Sequence, residues 1–200
     1  MPVKNFSLHQ SVNDVICNMN YHQISPPDEL KRWIRYFWVL ENDGSADSNQ
    51  ILVPLADGCP GIIFQNSSKG QFYDEAEKKM PDVFLYGQTI NCSTLYLRGQ
   101  FKSLGVCLYP STLKSLFQFD ASELTNSCVD LDLFMRNLKE PLLNSHSTVS
   151  QLQIFSAQLR DHLNKKASST DDTTAYAVSQ IAKSNGSVPL KLLQKELQLS

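Results

Sequence analysis

The sequence predicts an α+β chain, with an antiparallel β-sandwich or barrel first and helices after it. Between residues 33 and 110, short extended runs recur about every ten residues, and Gly, Pro, Asn and Asp turns separate them. Beyond Pro110 the apolar residues recur at three and four instead of two, which is helical spacing. The 200 residues are 42% hydrophobic and 19% charged, which suits a globular domain with an appendage better than a disordered chain.

Taken in order, Val12, Val15, Ile16 and Met19 set out a short helix that Ser25-Pro26-Pro27 stops. Pro27 to Leu30 reads as a first helical turn, with Asp28 and Glu29 near the positive end of the dipole. Residues 33–41 (WIRYFWVLE) are aromatic and β-branched, so they form a strand. Both alternating sets are largely apolar, which predicts cover on both faces. Residues 42–49 are a turn-rich loop, Ile51 to Pro54 is extended, and Ala56-Asp57-Gly58 is a tight turn. Gly61 to Gln65 then reads as the hairpin partner across that turn. Residues 66–80 are polar and read as an exposed hairpin loop, followed by strands within 83–88, 93–99 and 103–110.

After Pro110, one helix carries Leu113, Leu116 and Phe117, and a second carries Leu131, Phe134, Met135 and Leu138. Ser147-Thr148 caps a longer one whose stripe is Leu152, Phe155, Leu159 and Leu163. The segment 165–172 (KKASSTDD) is a linker. Ala175, Val178, Ile181 and Ala182 then mark a helix, Asn185-Gly186 a left-handed stop, and Pro189 with Leu190, Leu193 and Leu197 a second helix. Leu199-Ser200 reads as the exit and N-cap of a further helix. This hairpin opens a helix-turn-helix or is an ordinary amphipathic pair. The predicted division is a domain over 1–165, with strands in about 33–110 and helices in about 111–165, then a linker over 166–173 and an incomplete reader over 174–200.

Charge and motif content exclude several classes. The net charge of −2 is no footprint for nucleic acid, and the tail offers only Lys183, Lys191 and Lys195 against Glu196. The cysteines at 17, 59, 92, 107 and 128 are odd in number and lack a C-x-x-C pair, which argues against both a disulfide framework and a zinc site. They read as free buried thiols in a reducing cytosol. No signal peptide or membrane-length apolar run is present, so a cytoplasmic chain with no membrane contact is expected. The four histidines (His9, His22, His146, His162) lie apart, and none falls between 33 and 110, so no metal, no cofactor and no enzyme activity is expected. There is also no G-x-S-x-G, P-loop or dinucleotide fingerprint.

The binding candidates are aromatic. Tyr36, Trp38, Phe64, Tyr86 and Tyr109 lie on predicted strands and either line a pocket for a small organic effector or fill the core. Arg98, in an apolar strand, is a counter-charge for an anionic ligand or an exposed edge-strand arginine. The stripe of Leu152, Phe155, Leu159 and Leu163 is a candidate dimer face or packs onto the parent domain.

Residues 26–41 (PPDELKRWIRYFWVLE), 52–64 (LVPLADGCPGIIF), 85–88 (LYGQ), 97–117 (LRGQFKSLGVCLYPSTLKSLF), 120–126 (DASELTN) and the tail from Gly186 resemble the AraC family of bacterial transcriptional regulators. The closer resemblance is to a branch whose amino-terminal domain is a sensor of unknown function. The Phe37-Trp38 pair, the Pro54-to-Gly58 turn (two residues longer than usual) and Gly105 to Pro110 (with Leu108 for an aromatic) carry it. The resemblance implies a cupin-like antiparallel β-barrel or sandwich, a helical segment often used for dimerisation, and helix-turn-helix DNA binding. Only the opening of the first reader is present, so DNA contact would lie in a missing carboxy-terminal part and this chain would be truncated. The implied function is an effector-binding, dimerising domain that controls the reader. The alternative is a cupin-like small-molecule module with no DNA role.

Overall fold

The computed structural model describes residues 19–42, 49–53, 57–66, 70–91, 94–166 and 172–198. Among them are nine strands: β1 (Met19–Ile24), β2 (Ile34–Asn42), β3 (Asn49–Leu52), β4 (Gly61–Gln65), β5 (Gly70–Tyr73), β6 (Val83–Tyr86), β7 (Leu95–Gly99), β8 (Phe101–Leu108) and β9 (Cys128–Asp130). The helices are α1 (Thr112–Phe117), α2 (Lys139–Asn144), α3 (Thr148–Lys166), α4 (Asp172–Lys183) and α5 (Leu190–Glu196). The strands form a six-stranded sheet, β1-β2-β8-β4-β6-β9, and a three-stranded sheet, β3-β7-β5. All pairings are antiparallel.

The large sheet is the middle layer of three, and period-two alternation serves both its faces. Phe37, Val39, Ile62, Phe64, Val83, Leu85, Leu104 and Val106 face a core closed by Leu113, Leu116, Phe117, Leu142, Phe155, Leu159 and Leu163 from α1, α2 and α3. Their neighbours Trp38, Leu40, Ile63 and Phe84 face a second core, closed by Phe72 and Leu97 from the small sheet. The two-sided burial expected of residues 33–41 follows from this arrangement.

One residue breaks the alternation. Ile34 pairs with Leu108 and Tyr36 with Cys107, so Arg35 is the extra residue of a β-bulge. Ile34 therefore faces the helices, while Tyr36 joins Trp38 on the side of the small sheet.

Local signals explain the helices. The Ser150 N–H donates to Ser147 Oγ at 3.1 Å, the N-cap expected for α3. The Leu116 carbonyl on α1 lies 2.7 Å from His162 Nε2 on α3. At the end of α4 the Gly186 N–H reaches back to the Ile181 carbonyl at 2.8 Å, with φ of +49° at Asn185 and +79° at Gly186. This is a Schellman-type stop, which the Asn-Gly pair supplies at little strain.

Several expectations are corrected. Residues 12–16 lie outside the described set, and Met19 begins β1 rather than ending a helix. Strands β3 and β4 are not hairpin partners: β3 pairs with β7 and β4 with β6 and β8. Residues 66–80 are not simply exposed loop, because Gln71 and Phe72 of β5, and Met80, are buried. The segment 131–138 is not one helix. The Asp130 carboxylate accepts from the Asp132 N–H to cap a single 3-10 turn, and Asn137 is left-handed at φ +74°. The stripe on α3 offers no dimer face, since Phe155, Leu159 and Leu163 are buried in the chain's own core and Leu152 packs against it.

Candidate functional site

The side of the large sheet that meets the small one holds an unusual set of side chains at one end. On β8, Leu104, Val106 and Leu108 go to the helical side, which leaves the small residues Ser103, Gly105 and Cys107 facing the small sheet. A Cβ at Gly105 would fall inside the Trp38 indole, and one at Gly61 would strike the Tyr86 ring and hydroxyl. Both glycines are therefore needed because an aromatic ring lies directly on the strand. Tyr21 from β1 lies beside Trp38 with ring centroids 6.3 Å apart and accepts from Gln23 Nε2 at 3.0 Å.

The bulge aims Arg35 at the rim of this aromatic layer. Its Nη1 lies 3.2 Å from Asp57 Oδ2 and 3.0 Å from Cys59 Sγ. Asp57 also accepts from the Cys59 N–H at 2.9 Å, which fixes the loop leading into β4. The second thiol, Cys107, is hydrogen-bonded to Tyr36, and Tyr36 also meets Tyr21. The cluster thus joins Arg35, Asp57, Cys59 and Cys107 to three tyrosines.

Burial dominates the electrostatics here. It pushes the Cys107 thiol up to about 12, helped by the nearby Cys59 and Asp57 and opposed by the Tyr36 hydrogen bond. The Tyr36 and Tyr86 hydroxyls are raised well above the ordinary tyrosine value by the same burial, then by Cys107. Burial works against the Arg35 charge, but its bond to Cys59 and the surrounding acidic groups outweigh that and raise it. Near neutrality the site therefore presents neutral hydroxyl donors, an indole face and a guanidinium. Such groups hold a small aromatic or polar molecule by stacking and hydrogen bonds.

Of the residues singled out from sequence, Tyr36, Trp38 and Tyr86 meet at this site. Phe64 lies on the opposite face, in the core under the helices. Tyr109 lies just past β8, where its N–H donates to the Trp33 carbonyl at 3.0 Å. Arg98 is on the central strand of the small sheet, so it is not an edge arginine. It stands 4.5 Å over the Tyr73 ring and 3.4 Å from Glu77. Sequence reading missed Tyr21, Arg35, Asp57, Cys59 and Cys107. The glycines within the strands at 61 and 105 were the available signal, because such positions mark close approach.

Beyond the site, no helix among the described residues is long and apolar enough to cross a membrane. The family described as a domain of unknown function (DUF6597) matches residues 22–130. No curated protein matches the chain. Among solved structures, the crystal structure of the AraC-like transcriptional activator CuxR is similar at 13% identity and a TM-score of 0.34, over 92% of this chain and 77% of that one.

Proposed function

Because the chain belongs to the DUF6597 family of domains of unknown function, we propose a role from its own residues: the regulatory domain of an AraC-type transcription factor. The observation that carries the reading is the order of the AraC-like motifs along the chain, from residues 26–41 to the tail beyond Gly186. The strands, the bridging helices and the helical pair α4–α5 with its Schellman-type turn follow that order.

In this reading a small effector binds among Tyr21, Tyr36, Trp38 and Tyr86. Strands β2 and β8 carry that face and, on their reverse, the core that α1 and α3 close. A ligand that spreads or draws in these strands shifts the helices leading towards α4. It switches the protein only through a difference in affinity between two such arrangements. We assign no catalytic step, no cofactor and no membrane contact. A thermal-shift screen of small aromatic and polar metabolites tests the effector. A stabilising compound whose effect disappears in Tyr36→Phe and Tyr86→Phe supports the pocket, and a screen without one sinks it. The DNA role is tested separately. With α4–α5 carrying only Lys183, Lys191 and Lys195 against Glu196, the 200-residue chain should show no specific operator shift at physiological salt.

The second reading is a small-molecule module without a DNA role, and the tail's charge favours it. Lys183, Lys191 and Lys195 against Glu196 give little phosphate-neutralising surface.

A further inference from the structure

We propose that Asp57, Cys59 and Cys107 bind a thiophilic metal ion of the Zn²⁺, Cd²⁺ or Cu⁺ class. One carboxylate oxygen and the two sulfurs all lie within 4.8 Å of one another, although the thiols are far apart in sequence. Ligands at about 2.3 Å (sulfur) and about 2.1 Å (oxygen) from one tetrahedral ion lie about 3.5–4 Å apart. From their 4.8 Å limit the three atoms therefore need to close by at most about 1.3 Å. Two thiolates and one carboxylate select a soft or borderline ion over Mg²⁺ or Ca²⁺.

A cation already fills part of the slot. Arg35 Nη1 bridges Asp57 Oδ2 and Cys59 Sγ at 3.2 and 3.0 Å. Its side chain is 41% exposed, so it has open solvent to swing into. The metal takes the place of that N–H donor, both thiol protons leave to solvent, and the guanidinium swings outward into solvent.

This site stands whether or not the chain regulates transcription.

The test uses the reduced 200-residue chain titrated with Cd²⁺, reading the thiolate-to-metal charge-transfer band and the bound mass. The expected result is one ion per chain with loss of two protons. The band should survive Ser at Cys17, Cys92 and Cys128 and vanish in Cys59→Ser and Cys107→Ser. Asp57→Asn, a change at a half-exposed side chain that spares the core, should weaken binding at least about tenfold. Arg35→Ala should bind up to about fivefold tighter, because it removes the competing ion pair. No band, a band that survives both serine variants, or Arg35→Ala and Asp57→Asn both binding as wild type would overturn the proposal.

Discussion

Gln65 ties the two sheets together, and replacing it with leucine should cost far more than the same change at nearby Gln71. Gln65 is 1% exposed on β4 of the large sheet. Its Oε1 accepts from the Phe72 N–H on the edge strand β5 at 2.7 Å, and its Nε2 donates to the Met80 and Pro81 carbonyls at 3.0 and 2.8 Å. Leucine would leave two of these backbone groups, the Phe72 N–H and the Pro81 carbonyl, without a partner shown here. The Met80 carbonyl would keep Gln71 Nε2 at 2.8 Å. At about 1–3 kcal/mol for each buried orphan, Gln65→Leu should lose about 2–6 kcal/mol. Gln71→Leu removes one of two donors to a shared acceptor and should lose about 1 kcal/mol. Urea denaturation of both variants and of the double variant, with m-values checked for two-state behaviour, reads the difference. Equal losses, or a Gln65→Leu loss under about 1 kcal/mol, would refute the accounting that treats Gln65 as the polar tie between layers.

Gly105→Ala drives a methyl group into the Trp38 indole and should cost about 1–3 kcal/mol with a changed tryptophan emission spectrum. Trp38→Leu in the same chain should recover part of that loss, and an unaltered midpoint in the single variant would count against the packing described. Phe155→Ala should destabilise by about 3–5 kcal/mol, and equally at low and high protein concentration. A loss that depended on concentration would restore the dimer-face reading of α3. Stability should hold below pH 9 and fall as pH rises towards 12. The unfolded Cys107 thiol gives up its proton near 9, whereas the folded one keeps it to about 12, so the unfolded state binds fewer protons in that window. Buried Tyr36 and Tyr86 act in the same direction. Urea midpoints that stay flat from pH 8 to 11, or a slope unchanged in Cys107→Ala, would contradict this.

The strands of the large sheet were legible because local pattern and burial agree there. The aromatic run at 33–41 and the Gly-to-Gln strand at 61–65 declare themselves by composition. Their partners were not legible, because adjacency along the chain favours β3 with β4 and the alternation of one strand says nothing about which sheet it joins. The buried Phe72 sits in a polar stretch, so periodicity passed over it. At the candidate site, aromatic content was enough to bring out Tyr36, Trp38 and Tyr86. The polar half was hidden for two reasons. Cys59 and Cys107 meet only through β4–β8 pairing, which no spacing rule encodes. Arg35 looked like the polar member of an alternating strand until the extra residue showed otherwise.

That extra residue has a consequence for how the domain tolerates insertions and deletions. Loss of a single codon at position 35 would make Ile34 the direct neighbour of Tyr36 and leave it opposite Leu108 in an unbroken ladder. Ile34 would keep its place towards the helices and Tyr36 its place in the aromatic layer, because the bulge already sets them on opposite faces. Substitutions at 35 and its deletion both keep the two cores, whereas a deletion at Phe37 would put Tyr36 opposite Val106 and turn it to the helical face. The reading frame of β2, more than the side chain of Arg35 itself, holds Tyr36 where a ligand could meet it.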